Sequence, residues 1–309
     1  MTPLALPVGV RKHLLNMSKL VSLSVASVKI EKLTIEEFRG PVSIRPQMHL
    51  LLRAPTGAMK STILNAIQKQ TSTPKRPNEI ISEVTRAGLV GSIDGKTMQL
   101  VEGAAWNCRN NILLLDEFRF NRRSDDWNIF LQLLEDQHYS RKLGIFSADK
   151  ELIEGDLHLK LKGGQISLKT RFACIIATMK RFQHSTSEEF KAFVNRCVPY
   201  EYDLEIDEID KIISGELDFS FKELKPETEV VISKGDYTRI RKMVKATIKE
   251  STDNVFTQKQ NFARAVGDIC RIHAITDNHD KDFERSIVKW KCKVYDSIGQ
   301  DFKRRREWK

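Results

Sequence analysis

The stretch that most constrains how this chain can fold runs from His49 to Leu64, HLLLRAPTGAMKSTIL. His49 to Leu52 reads as a short buried strand, a loop follows, and a helix begins at Lys60. A loop of this kind between a strand and a helix can cradle phosphate, because backbone N–H groups of the loop and of the helix N-terminus converge on the anion. In that reading Ala54, Pro55, Thr56, Gly57, Ala58, Met59, Lys60, Ser61 and Thr62 form the cradle. Lys60 reaches the β- and γ-phosphates and Ser61 holds Mg²⁺. The general pattern is G-x-x-x-x-G-K-[ST], and Ala54 and Met59 stand at its two glycine positions. Taken alone, the stretch is equally well read as a surface turn entering an amphipathic helix.

A second segment shifts that balance. Asn111 to Phe118, NILLLDEF, is an apolar run ending in two acids. It describes a buried strand whose carboxylates emerge at its C-terminal edge, where open α/β sheets bind ligands. Asp116 is expected to hold Mg²⁺, mostly through water, and Glu117 to orient and deprotonate an attacking water. Together with the upstream loop this predicts a nucleoside triphosphate site.

The 309 residues are 40% hydrophobic and 30% charged, enough for a core in one or two domains. No apolar run approaches the ~18 residues that span a bilayer. The apolar run from Pro3 to Val10 contains Pro3 and Pro7, and its basic residues follow it instead of preceding it, which is a poor signal peptide. An intracellular protein is expected. The five cysteines are scattered, with no C-x-x-C pair, which argues against zinc ligation and against a disulfide framework and leaves reduced core thiols as the expectation. The net charge of +10 and pI of about 9.3 favour a polyanionic partner, nucleic acid first, although a generally basic surface has the same charge. Tyr200 to Asp218 is acidic, whereas the tail from Lys289 is basic, with Lys303 to Arg306 an unbroken run.

Thr34 to Phe38 (TIEEF) suggests a helix capped by Thr34. Ser61 to Lys69 continues the loop helix until Pro74 and Pro77. Asp94-Gly95 marks a hairpin turn, and Ala104 to Asn107 the end of a short helix. Past Glu117, Ser124 or Asp125 caps a helix whose apolar face is Trp127, Phe130, Leu131, Leu133 and Leu134. Leu157 to Leu168 alternates on both sides of Lys162-Gly163-Gly164, a β-hairpin with a basic tip. Phe172 to Thr178 is another buried strand, and Glu188 to Arg196 a helix. This recurrence predicts a three-layer α/β domain to about residue 215. Beyond Ser233 the pattern is all-helical: Tyr237 to Lys249, Thr257 to Asp277 and Lys281 to Tyr295.

From about residue 45 to 290 these pieces, in their order and spacing, resemble the AAA+ domain of the minichromosome maintenance (MCM) helicases. That family's phosphate loop also lacks the second glycine. TRAGLVGSIDGKTMQLVEGAA (Thr85 to Ala105) resembles its insert hairpin and the run after it, and LLLDEF (113 to 118) its acidic strand. LLEDQ (Leu133 to Gln137) resembles its "met-glu-gln-gln" helix end, and KGGQISLKTR (Lys162 to Arg171) the hairpin before its sensor strand. NRC (Asn195 to Cys197) sits at its "ser-arg-phe", and RAVGDICRI (Arg264 to Ile272) keeps two arginines seven apart, as the family does.

The resemblance implies an α/β fold: an AAA+ P-loop three-layer α/β/α domain with β-hairpin inserts over 46–220, then a small all-α lid over 221–290. An N-terminal extension (1–45) and a basic C-terminal tail (291–309) flank them. It implies ATP and Mg²⁺ as ligands and DNA as partner, bound mainly through phosphate by Lys162, Lys169 and the tail. It implies a hexameric homo-oligomeric ring, replication partner proteins and no membrane. Lys60, Ser61, Asp116 and Glu117 match the nucleotide site, Arg196 the arginine finger that reaches a neighbour's γ-phosphate, and Arg264 the second sensor arginine. The activity implied is a replicative helicase or helicase-like ATPase; the alternative is an ATP-switched DNA-binding initiator or loader with little hydrolysis.

Three departures bear on that choice. Met179 stands where the family has a sensor asparagine, and a thioether cannot position water as an amide can, though Thr178 or Lys180 could substitute. Residues 141–156 have no family counterpart. About 45 leading residues are too few for the family's N-terminal oligonucleotide-binding domain with its zinc site, and no winged helix is read after 295. Such trimming suggests a plasmid or viral replication protein.

Overall fold

The computed structural model describes residues 8–37, 40–73, 78–82, 85–94, 96–97, 99–117, 124–142, 149–179, 188–216, 219–276 and 279–307. The side chains of 8–11, 124–126, 188–189, 256 and 299–307 lie outside that description. The chain opens with α1 (Val8–Ser27), then β1 (Lys32–Glu37), β2 (Gly40–Ile44), β3 (His49–Ala54) and α2 (Lys60–Thr71). Next come β4 (Ile80–Ile81), α3 (Arg86–Val90), β5 (Ser92–Ile93), β6 (Leu100–Val101), α4 (Ala104–Asn107), β7 (Asn111–Leu115) and α5 (Ser124–Asp136). Strands β8 (His138–Lys142), β9 (Lys150–Glu154), β10 (Leu157–Lys162), β11 (Gln165–Lys169) and β12 (Phe172–Met179) follow, then α6 (Glu188–Arg196), β13 (Cys197–Glu201) and α7 (Ile206–Ile213). The chain ends with β14 (Glu229–Ile232), α8 (Lys234–Ser251), α9 (Val255–Ile275) and α10 (Lys281–Glu307).

The central sheet is a parallel one of five strands in the order β13-β3-β12-β7-β4. Its strands are apolar on both faces, as a sheet covered on both sides requires. Leu50, Leu52, Ile112, Leu114, Ala173, Ile175 and Ala177 enter one core with Ile63, Leu64 and Ile67 of α2. Their sequence neighbours Leu51, Leu113, Leu115, Cys174 and Ile176 enter a second core with Trp127, Phe130, Leu133 and Leu134 of α5. The period-two alternation therefore sets a helical layer on each face. The first core also takes in α1, α8, α9 and α10, and Lys291 to Glu307 continue α10 as helix, so the expected boundary at 291 falls within that helix. All five cysteines are free and buried. Among the described residues no helix is long and apolar enough to cross a membrane.

Of the short helix read over Thr34 to Phe38, the described residues Thr34 to Glu37 are strand instead, and Phe38 lies outside the described residues. Within β1, Leu33 and Ile35 are buried on one side, and β1 pairs with β14 in parallel and with β2 antiparallel. Partners on both sides satisfy its backbone groups, which the local capping pattern could not foresee. The described residues of the 141–156 segment also acquire a structural role, since they complete β8 and form β9, which flank the β10–β11 hairpin in a four-stranded antiparallel sheet, β8-β11-β10-β9.

Candidate functional site

Because the central strands are parallel, Ala54, Ile81, Leu115, Met179 and Glu201 end at one edge of the sheet. The loop after β3 turns there through Gly57 (φ 85°) and Met59 (φ 54°). Glycine takes a left-handed backbone freely, whereas methionine does so at a cost on the order of 1 kcal/mol. Met59 is the N-cap of α2, and no side chain caps that helix. A serine or aspartate there would satisfy a first-turn N–H group; methionine leaves the group to a ligand or to water. Lys60 Nζ donates to the carbonyls of Ala54 (3.3 Å) and Pro55 (2.5 Å), holding the ammonium over the loop. Burial lowers the Lys60 pKa, and the charges of Asp116 and Glu117 partly offset this, so both carboxylates lie within electrostatic reach of the lysine. Ser61 and Thr62 are exposed on the first turn.

Asp116 continues β7, tied to the adjacent strand by its N–H donating to the Ile81 carbonyl at 2.9 Å. Its Oδ1 accepts from the Glu117 N–H at 2.8 Å, and Glu117 is itself left-handed at φ 46°. Two of the four described non-glycine residues with positive φ, Met59 and Glu117, thus sit at this one edge, where strained backbone concentrates at functional sites. Met179 pairs in register with Ala54, is 43% exposed, and its sulfur accepts from the Thr56 hydroxyl at 3.8 Å. The sequence-predicted sensor position therefore does lie beside the loop, on the strand between those of Lys60 and Asp116. Thr178 is buried behind it; Lys180 lies outside the described residues. The sequence reading missed Tyr202. Its buried hydroxyl lacks a hydrogen-bond partner among the described residues, and its pKa is raised by burial and then by Asp116. An uncapped helix start, an ammonium and two carboxylates at one edge are groups that could hold a phosphate and a divalent cation, Ser61 and Asp116 being the oxygen-bearing side chains that could take the cation.

Arg196 and Arg264 are elsewhere. Arg196 ends α6 immediately before Cys197, which pairs with His49 at the start of β3. It therefore lies at the opposite edge of the sheet, about 16 Å away along β3 at roughly 3.3 Å per residue. Arg264 joins it: Glu135 at the end of α5 accepts from Arg264 Nη1 at 2.8 and 2.9 Å, and Arg196 Nε forms an ion pair with it at 3.0 Å without a hydrogen bond. Burial alone would raise the Glu135 pKa, but the Arg264 hydrogen bonds, with the charges of Arg264, Arg45 and Arg196, hold it below the usual range. Arg45, unremarked in the sequence reading, is a third cation here. Its Nε and Nη1 are buried without hydrogen-bond partners among the described residues, and burial followed by Arg271 lowers its pKa to about 9. His49 stays neutral between the Cys174 N–H, which donates to its Nδ1, and the Leu134 carbonyl, which accepts from Nε2; burial and Arg45 push its pKa well down. One carboxylate thus faces three guanidinium groups, an excess of positive charge that suits an incoming anion. No periodicity marks Arg45, and Glu135 was legible only as part of a helix end.

Removing that carboxylate should destabilise the protein. Glu135→Ala is expected to lower unfolding stability by about 1 kcal/mol, discounted for the part-exposed pair. Because the folded pKa is depressed, this contribution is complete above the unfolded value of about 4.3 and is lost as pH falls below it. Urea denaturation of both proteins at pH 7 and at pH 3.5 checks this; the difference should shrink at the lower pH.

Lys162 and Lys169 are both exposed but stand at opposite ends of β10 and β11, so the structure does not bring them together. Gly163 (φ 55°) and Gly164 (φ 73°) make the tight turn beside Lys162. Gln165, which pairs with Lys162, also pairs with Lys142, and Leu161 pairs with Lys150. Lys142 and Lys150, both exposed and both from the 141–156 segment, therefore join Lys162 at one end of the sheet. The basic run Lys303 to Arg306 is helical in α10, and its side chains lie outside the described residues. Comparison with known proteins gives no matching family model and no matching curated sequence.

Proposed function

We propose that the chain is an ATPase of the AAA+ type, similar to the MCM helicases, which works as a ring and couples hydrolysis to movement on DNA. The observation that carries this reading is the placement of the charged groups on two opposite edges of one sheet. Lys60, Asp116 and Glu117 share one edge, while Arg45, Arg196 and Arg264 share the other. A guanidinium about 16 Å from the loop end of its own sheet cannot touch the phosphate bound there. It can touch the phosphate of a second copy stacked edge to edge. Such a contact joins unlike surfaces, and repeated by rotation it closes into a ring.

In this reading the loop N–H groups and Lys60 hold the β- and γ-phosphates, and Ser61 and Asp116 would hold Mg²⁺. Bound Mg²⁺ neutralises charge on the phosphate oxygens. Glu117 accepts a proton from the attacking water. Arg196 and Arg264 from the adjacent copy leave Glu135 for the phosphate and balance the charge that develops on it. Lys142, Lys150 and Lys162 supply phosphate contacts to DNA with little sequence preference. The second reading, an ATP-switched initiator or loader, rests on Met179, whose sulfur is a weak acceptor and no donor.

The deciding experiment is steady-state ATP hydrolysis across protein concentrations, with and without single-stranded DNA. Turnover per chain that rises with concentration and is stimulated by DNA supports the motor. Tight nucleotide binding with negligible turnover under every condition moves the switch ahead. The DNA interface has its own check: alanine at Lys142, Lys150 or Lys162 is expected to lower the slope of log K against log salt by about 0.7 for each single-strand phosphate that is no longer neutralised. An unchanged slope in the triple variant would remove this sheet from the interface.

A further inference from the structure

Away from both edges, the turn joining α9 to α10 gathers three ligating side chains. His273 lies in the last turn of α9, His279 in the connecting segment and Glu284 in the first turn of α10. One donor atom from each lies within 4.8 Å of the other two. His273 Nε2 and Glu284 Oε1 approach to 2.9 Å with both side chains only 5% exposed. Despite that distance, neither atom has a hydrogen-bond partner among the described residues. The imidazole N–H direction and the carboxylate oxygen miss one another. Leaving two such atoms buried and unsatisfied is costly, and an ion on which both converge removes the cost.

His279 stacks on His273, with ring centroids 3.8 Å apart and planes 13° from parallel. From α8, Asp236 and Arg239 face this corner, but Asp236 is held by the Ser233 hydroxyl (2.7 Å) and by Arg239 (2.8 Å). It therefore adds negative potential without being available as a ligand.

We infer that His273, His279 and Glu284 form a zinc site that clasps the end of α9 to the start of α10. Two imidazole nitrogens and one carboxylate oxygen are a Zn²⁺ donor set that leaves a fourth tetrahedral position for water, whereas Mg²⁺ and Ca²⁺ favour oxygen alone. A ring face does not ligate, so His279 turns about its side-chain torsions to aim a nitrogen at the ion. It is exposed and has room to do so. The site is independent of the nucleotide reading and of hydrolysis.

The test uses the full chain stripped with a chelator and titrated with Zn²⁺ alone at pH 7.5. Bound metal is measured after desalting, and cobalt substitution reports the coordination by visible absorption. One zinc per chain is expected, with Tm raised by about 5 °C in excess zinc. His279→Ala, at an exposed position, should keep the wild-type circular dichroism and lose the stoichiometric zinc and the Tm rise; Glu284→Gln should weaken both. A wild-type chain that retains no stoichiometric zinc overturns the inference. So does His279→Ala that retains it, because the metal is then held elsewhere.

Discussion

Arg196→Ala is expected to lower ATP turnover by a factor on the order of 10³ to 10⁵ while nucleotide still binds. Binding should survive because Arg196 is remote from the loop of its own chain, at the edge where β13 and β3 begin. Folding should survive because Glu135 retains Arg264, whose Nη1 donates to both carboxylate oxygens at 2.8 and 2.9 Å without involving Arg196. Arg196→Lys should fall between the two proteins, because an ammonium keeps the charge and loses the planar fork that matches phosphate oxygens. The stronger form of the test mixes two inactive proteins. Lys60→Ala lacks the loop cation and should not turn over; Arg196→Ala lacks the trans cation. In a mixed ring, a chain with Lys60 intact can sit against a neighbour with Arg196 intact. Random pairing of equal amounts restores about a quarter of the interfaces. Recovery on mixing cannot come from a residue that acts only within its own chain. If mixing restores nothing although the variants co-assemble, Arg196 and Glu135 are a structural ion pair and the edge-to-edge reading fails.

Much of the central architecture was legible because it is written in local patterns. Buried parallel strands have continuous apolar runs, and HLLL, NILLL and FACIIAT became most of β3, all of β7 and most of β12. Glu188 to Arg196 is the helix expected, Ala104 to Asn107 is a whole four-residue helix where the end of one was expected, and Gly163-Gly164 makes the expected hairpin turn. Elements defined by distant partners were not legible. β1 carries a helix-capping pattern and is a strand only because β2 and β14 flank it. β13 contains Pro199, which cannot donate to a ladder and is tolerated because β13 is an edge strand. The candidate site divides in the same way. Lys60, Asp116 and Glu117 lie in contiguous strand–loop motifs, so the residues alone placed them at a sheet edge. Arg45 and Glu135 are ninety residues apart and meet only through the packing of α5 against the start of β3. Met179 was legible as a departure, but its contact with Thr56 required the register of β12 on β3.

Glu117→Gln is expected to reduce turnover by a factor of roughly 10² to 10⁴ and to leave ATP bound. The argument rests on position. Glu117 is exposed at the sheet edge, one residue beyond Asp116, in a left-handed backbone that re-aims its side chain away from the β7 direction. Its charge reaches Lys60, so a triphosphate held by that lysine lies within its field. Glutamine keeps the shape and removes the basic oxygen, so chemistry should stop while the cradle of Ala54 to Thr62 is untouched. Filter retention of labelled nucleotide and phosphate release, measured on the same samples, separate the two effects. Retained ATP with lost release identifies Glu117 as the base; unchanged release assigns the proton to another group. The outcome also bears on Met179. If the parent protein already releases phosphate as slowly as Glu117→Gln, the base has no correctly placed water to act on. Met179→Asn, which restores an amide donor and acceptor beside Thr56, should then raise release in the parent and leave it unchanged in the Glu117→Gln background. A rise in both backgrounds would mean that the amide acts independently of Glu117, and the water-positioning account of Met179 would fail.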